Sequence, residues 1–154
     1  MDTFEQKLND LLVDTFRNIT KVEEMIIQNG NTSLTLSETH LLAAVGDAPG
    51  GSLTIGELAA ALGITPASVT VAVGKLMRKE YLIKNKSPTD GRSVVISLTR
   101  SGAKICRLHR YFHRKMVRSV TCGVSEAEKT ALLSGVEKLD AFFSQKASEL
   151  MLEE

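Results

Sequence analysis

No apolar run in this 154-residue chain approaches the roughly 20 residues needed to span a bilayer. The opening Met1-Asp2-Thr3-Phe4-Glu5 lacks the basic start and apolar segment of a secretory signal, so none is expected. Cysteine is scarce: Cys106 and Cys122 lie 16 apart in a predicted helical region. They predict free thiols in a reducing cytoplasm, not a disulfide framework. No internal repeat or low-complexity stretch occurs. A glycine-rich phosphate loop, a Ser or Cys nucleophile with an evident base, and a carboxylate pair at a telling spacing are all missing. These absences predict neither an enzyme nor a bound cofactor, and no membrane partner.

What is present is local punctuation. Thr65 is a good N-cap, since its hydroxyl can accept a bond from an orphan amide of the first turn, and Pro66 follows where its missing N–H costs nothing. A helix is predicted from there to Lys79. Upstream, Thr54 and Glu57 form a T-x-x-E capping box opening a helix that runs to Leu62. Only Gly63 and Ile64 separate the two, and glycine is the expected stop. Helix, short glycine turn, helix is the helix-turn-helix pattern. Two strands follow, Tyr81-Leu82-Ile83-Lys84 and Val94-Val95-Ile96-Ser97-Leu98, around the turn-rich, basic Lys86-Ser87-Pro88-Thr89-Asp90-Gly91-Arg92. A helix-turn-helix followed by a β-hairpin is a winged helix.

The formal net charge of +1 conceals a segregated distribution. Residues 1–64 hold 3 basic and 9 acidic side chains, a balance of −6. Residues 65–92 hold 6 against 2, or +4, residues 93–118 hold 7 against none, or +7, and residues 119–154 hold 3 against 7, or −4. The predicted recognition helix, the wing and the next helix thus carry +11 between acidic ends. Double-stranded DNA is the expected partner, because phosphate neutralisation dominates affinity for it.

The remaining segments are helical. Phe4, Leu8, Leu11, Leu12, Phe16, Ile19, Val22 and Ile26 recur at helical spacing up to Asn29-Gly30-Asn31. Leu34 to Val45 is a second predicted helix, with Thr35 and Glu38 as another capping box. Residues 46–52 read as a loop. Thr99 to Thr121 is a long helix, interrupted at Gly123. Ser125 and Glu128 cap a last helix carrying Leu132, Leu133, Val136, Leu139, Phe142, Phe143 and Leu150. Each large side chain of the terminal stripes left in water costs about 1.5–3 kcal/mol. A second copy of the chain is the expected cover, and a twofold dimer would set two recognition helices at successive major grooves. The predicted fold is mainly α with a small β-wing. Residues 1–33 form an N-terminal dimerisation helix, 34–99 the winged helix-turn-helix, and 100–154 the C-terminal dimerisation helices.

At Asp90-Gly91-Arg92 through Ser97-Leu98-Thr99 the sequence resembles the MarR family of bacterial transcriptional regulators, whose wing carries this Asp-x-Arg and Leu-Thr spacing. The helices occur in the family's order. The resemblance implies a triangular homodimer that binds a pseudo-palindromic operator, usually as a repressor. Leu108-His109-Arg110-Tyr111-Phe112-His113-Arg114-Lys115-Met116-Val117, with Glu38-Thr39-His40, is similar to the subgroup that represses fatty-acid synthesis genes in Gram-positive bacteria. That likeness implies a long acyl group on acyl carrier protein as effector and partner. The recognition helix departs from the subgroup, since Pro66-Ala67-Ser68 and Val71-Ala72-Val73-Gly74-Lys75 are not the polar set it would carry.

The residues expected to meet DNA are Ser68, Thr70, Val71 and Lys75 from the recognition helix, with Ala72 also outward. Lys84, Lys86 and Arg92 are expected from the wing. The family resemblance places Arg92 at the minor groove, with Asp90 orienting it through a paired hydrogen bond. The effector is expected among Ile19, His40, Leu41, His109, Phe112, His113 and Met116. A second possibility is a metal: His109 and His113 are i, i+4, and with His40 and Glu24 they resemble the ligands of zinc-sensing MarR proteins. Cys106, one turn before His109, is expected to be a packing thiol.

Overall fold

The computed structural model describes residues 2–87 and 90–151, of Met151 the backbone alone. The chain divides into two compact units, Met1–His109 and Arg110–Glu154.

The first unit opens with α1 (Thr3–Asn29), capped by a reciprocal pair in which the Glu5 amide donates to Asp2 and the Asp2 amide to Glu5. That box was not anticipated. Next come α2 (Leu36–Asp47), a 3-10 turn at Pro49–Gly51, and β1 (Ser52–Leu53). Then follow α3 (Ile55–Leu62), α4 (Pro66–Arg78), β2 (Leu82–Lys86), β3 (Val94–Leu98) and α5 (Arg100–Thr121). Capping boxes at Thr35/Glu38 and Thr54/Glu57 form as the residue types require. α2 therefore begins after Thr35, and Leu34 is a buried residue ahead of it, not its first turn.

Gly63 ends α3 in the left-handed region, at φ 62°. The Thr65 hydroxyl accepts from the Ser68 amide at 3.2 Å and starts α4. Between them the chain bends by 107°, inside the range of helix-turn-helix units. The hairpin pairs Leu82 with Leu98, Lys84 with Ile96 and Lys86 with Val94. One strand escaped the sequence: β1, in the expected loop, pairs Ser52 with Ser97 and Leu53 with Ile96, so the sheet order is β1-β3-β2. β2 itself runs two residues further into the wing than expected. Pro88 and Thr89 of the expected wing turn lie outside the described residues.

The core of this unit gathers Leu42, Val45, Leu58, Val69, Val73, Leu76, Leu82 and Ile96, each at most 2% exposed. Helix-turn-helix and sheet thus share one apolar centre, which fixes α4 against the wing. Two glycines permit close approaches around it. A Cβ at Gly102, in the first turn of α5, would collide with the backbone carbonyl of Tyr81, and one at Gly46 would strike the thiol of Cys106. Cys106 is 4% exposed, as a packing thiol should be.

The second unit holds the end of α5 and α6 (Glu126–Met151), which opens with the Ser125/Glu128 pair. Gly123 turns the chain at φ 77°. Phe142 and Phe143 stack edge to face, and both are exposed in the single chain. Among the described residues no single helix is long and apolar enough to cross a membrane.

Candidate nucleic-acid interface and histidine cluster

α4 buries Val69, Val73 and Leu76 and turns the opposite face outward. Ala67, Ser68, Thr70, Val71, Lys75 and Arg78 are exposed there. Thr70 is on this face, whereas Ala72, expected outward, packs against the core. The two hydroxyls are already engaged within the helix. Ser68 Oγ lies 2.9 Å from Thr65 Oγ1, and Thr70 Oγ1 donates to the Pro66 carbonyl at 2.8 Å. Lys75 and Arg78 are the long donors that project from this helix into solvent.

Lys84, Lys86 and Arg92 are exposed on the wing. Asp90 acts differently from expectation. Its Oδ1 accepts the backbone amide of Arg92 at 3.1 Å, and its Oδ2 accepts the Ser93 hydroxyl at 2.6 Å. The carboxylate thus shapes the turn that presents Arg92. The Ser93 hydroxyl and the Arg92 amide hold the Asp90 carboxyl below the usual carboxylate range.

The base of α4 is pinned by a contact that sequence reading missed. Lys79 Nζ donates to both carboxylate oxygens of Glu38, at 2.9 and 2.8 Å, and to the Ser33 carbonyl at 2.7 Å. Glu38 therefore serves twice, in the α2 capping box and as an anchor for the helix carrying Val71. Burial pushes its carboxyl up, but Lys79 and Thr35 outweigh that and keep it below its ordinary value.

The histidines assemble in part. His109 Nε2 lies 3.1 Å and His40 Nε2 3.6 Å from the same oxygen, Glu23 Oε1. The two rings meet edge to face, 5.5 Å apart. Each of the three residues offers a donor atom within 4.8 Å of the others, a set of nitrogen and oxygen ligands of the kind zinc takes. The carboxylate is Glu23, not Glu24, whose side chain is exposed one position on. Glu23 follows Ile19 by four residues and precedes Ile26 by three, so a carboxylate interrupting the apolar stripe was the available signal. The set among the described residues is Glu23, His40 and His109; His113 belongs to the second unit. There its ring stands 5.1 Å from that of Phe112, and both are half-buried, as is Met116. Ile19 is half-buried on α1, while Leu41, expected to line an effector site, is 2% exposed within the core of the first unit.

The model described as MarR family matches residues 32–93, from the approach to α2 to the wing arginine. FabT of Streptococcus pneumoniae, whose crystal structure is a complex with DNA, superposes with a TM-score of 0.81 and 30% identity over 92% of this chain and 98% of that one. The chain belongs to the MarR family. Among curated relatives of this MarR-family protein, the HTH-type transcriptional regulator YhbI of Bacillus subtilis is 30% identical over 74% of this chain and 71% of its own length. The regulator YhjH of the same organism is 28% identical over 62% of this chain, and the match spans 54% of YhjH. The MarR protein described here is accordingly a DNA-binding transcriptional regulator, like its relatives, and not an enzyme.

Proposed function

We propose that this chain is a homodimeric repressor of fatty-acid synthesis genes, acting in the cytoplasm, with a long acyl chain on acyl carrier protein as its effector. The full-length likeness to DNA-bound FabT, in sequence as well as fold, carries the reading. The stretch from Leu108 to Val117 supports it independently, through its similarity to the acyl-responsive subgroup. Residues 34–99 are proposed as the DNA-binding domain, and residues 1–33 and 100–154 as the dimerisation regions. Ser68, Thr70, Val71 and Lys75 would face bases and phosphates in the major groove. Lys84 and Lys86 would meet phosphate, and Arg92 the minor groove. An effector acts only by binding one arrangement of the two recognition helices better than the other. The experiment is a gel shift on genomic fragments retained by the purified protein, with and without acyl carrier protein loaded with a long-chain fatty acid. A tenfold or larger change in affinity is expected. Unchanged operator affinity and unchanged thermal stability would remove the acyl effector.

A second reading, that zinc is the effector, is favoured by one observation: Glu23, His40 and His109 converge. These residues would supply one carboxylate and two imidazoles, leaving room for a further ligand. Equilibrium dialysis against zinc separates the two readings. Tight binding that disappears in Glu23→Gln supports the metal, and absence of tight binding excludes it.

A further inference from the structure

We infer that Val71 is a specificity-determining residue, reading thymine C5-methyl groups in the major groove. It rests on the DNA-binding role of α4. A single exposed apolar side chain is ordinary on a protein surface and by itself signifies nothing. Val71 is a different case because of its place and its neighbours. It is 60% exposed, directly opposite the buried row of Val69, Val73 and Leu76, and therefore at the centre of the face that α4 offers to DNA. It stands in the first half of the second helix of the helix-turn-helix, where side chains meet base edges.

The short polar neighbours of that centre each already make a bond within the chain. The Ser68 hydroxyl is engaged with Thr65 and the Thr70 hydroxyl with the Pro66 carbonyl. What remains in the middle is Ala67, Val71 and Gly74, with the longer Lys75 and Arg78 toward the helix end. Gly74 adds a second, independent mark. Glycine inside a helix is unfavourable, and among the described residues nothing requires it here: a Cβ at Gly74 would meet only the Arg78 guanidinium, at 3.8 Å. Open space beside Val71 lets the helix backbone come close to a partner outside the chain. In the major groove the one apolar group on any base edge is the thymine methyl. The small, apolar patch of Ala67, Val71 and Gly74 at the middle of this face matches that group.

The test uses the full-length protein and a duplex selected by it from a random-sequence library. Each thymine of a half-site is replaced in turn by deoxyuridine, which deletes only the methyl. One or two positions per half-site should lose about fourfold in affinity, the size of withdrawing one methyl from an apolar contact. In Val71→Ala the penalty at those positions, read as the ratio of thymine to deoxyuridine affinity within the variant, should fall to near onefold. Val71→Thr, equal in shape, guards against a change in helix stability and should also blunt the penalty. A selected duplex indifferent to uracil at every position, or an unchanged penalty in Val71→Ala, would overturn the role of Val71 while leaving operator binding intact. Failure of any sequence to enrich would overturn sequence reading itself, and this inference with it.

Discussion

Lys79 and Glu38 show how a single pair of side chains holds the reading helix to the rest of its unit. The Glu38 side chain is 10% exposed and that of Lys79 29%. Removing one partner strands the other in a partly buried setting, which costs more than the pair itself contributes. Lys79→Met is expected to destabilise the fold by about 2 kcal/mol in urea unfolding. The pair Arg17–Asp14 is mostly exposed, and Arg17→Met should cost well under about 1 kcal/mol. The Lys79 contribution also has a sign in pH. Glu38 takes up its proton less readily folded than unfolded. Its stabilisation is therefore complete above its ordinary value of 4.5 and is lost as pH falls through the lower, folded value. Unfolding curves between about pH 3 and pH 6 should show a steeper acid loss in the native protein than in Lys79→Met. Neither partner was legible beforehand, since the two lie 41 residues apart and each has a local role that explains its presence. Glu23 escaped for a different reason: the resemblance to zinc-sensing proteins points to Glu24, and a shift of one residue on a helix turns a side chain by more than a quarter turn.

Helices were legible where their ends carry local chemistry. Thr35/Glu38, Thr54/Glu57, Thr65-Pro66 and Ser125/Glu128 all act within four residues, so neighbours in sequence suffice to find them. β1 was not legible, because two residues carry no period and their hydrogen bonds go to Ile96 and Ser97, more than forty positions away. The close seat of α5 was hidden for the same reason: Gly102 looks like a weak helix residue until the Tyr81 carbonyl is placed against it. Gly102→Ala should force the first turn of α5 off the end of the α4–β2 connection. A loss of about 1–3 kcal/mol is expected, read as a lower melting temperature. The backbone bond from Thr99 to the Tyr81 carbonyl, 3.1 Å long, should exchange its amide proton faster in that variant.

At the scale of the whole molecule the decisive quantity is uncovered apolar surface. Phe4, Phe16, Phe142, Phe143 and Leu150 are each more than half exposed in the single chain. At about 1.5–3 kcal/mol for each such side chain, a second copy covering them would be held firmly. Sedimentation at micromolar concentration should give a dimer. The double variant Phe142→Ser, Phe143→Ser should shift it toward monomer and lower operator affinity more than tenfold, since the two heads would no longer bind together. A native protein that sediments as a monomer would contradict the proposed assembly. The charge pattern belongs to this scale as well, because its −6, +11 and −4 blocks were visible only when the sequence was read in segments.

β1 covers one side of β3 for two residues only, and of the two outer strands of the sheet β2, from Leu82 to Lys86, is the longer margin. An unpaired strand margin invites another chain to add itself there, and lysine is a common deterrent. Lys84 and Lys86 stand on that margin, where their charge is expected to discourage strand-to-strand association of copies not bound to a duplex. Neutralising both, as in the pair Lys84→Gln and Lys86→Gln, should turn dilute solutions turbid on warming before any helix melts, and added duplex should delay the turbidity only at low salt.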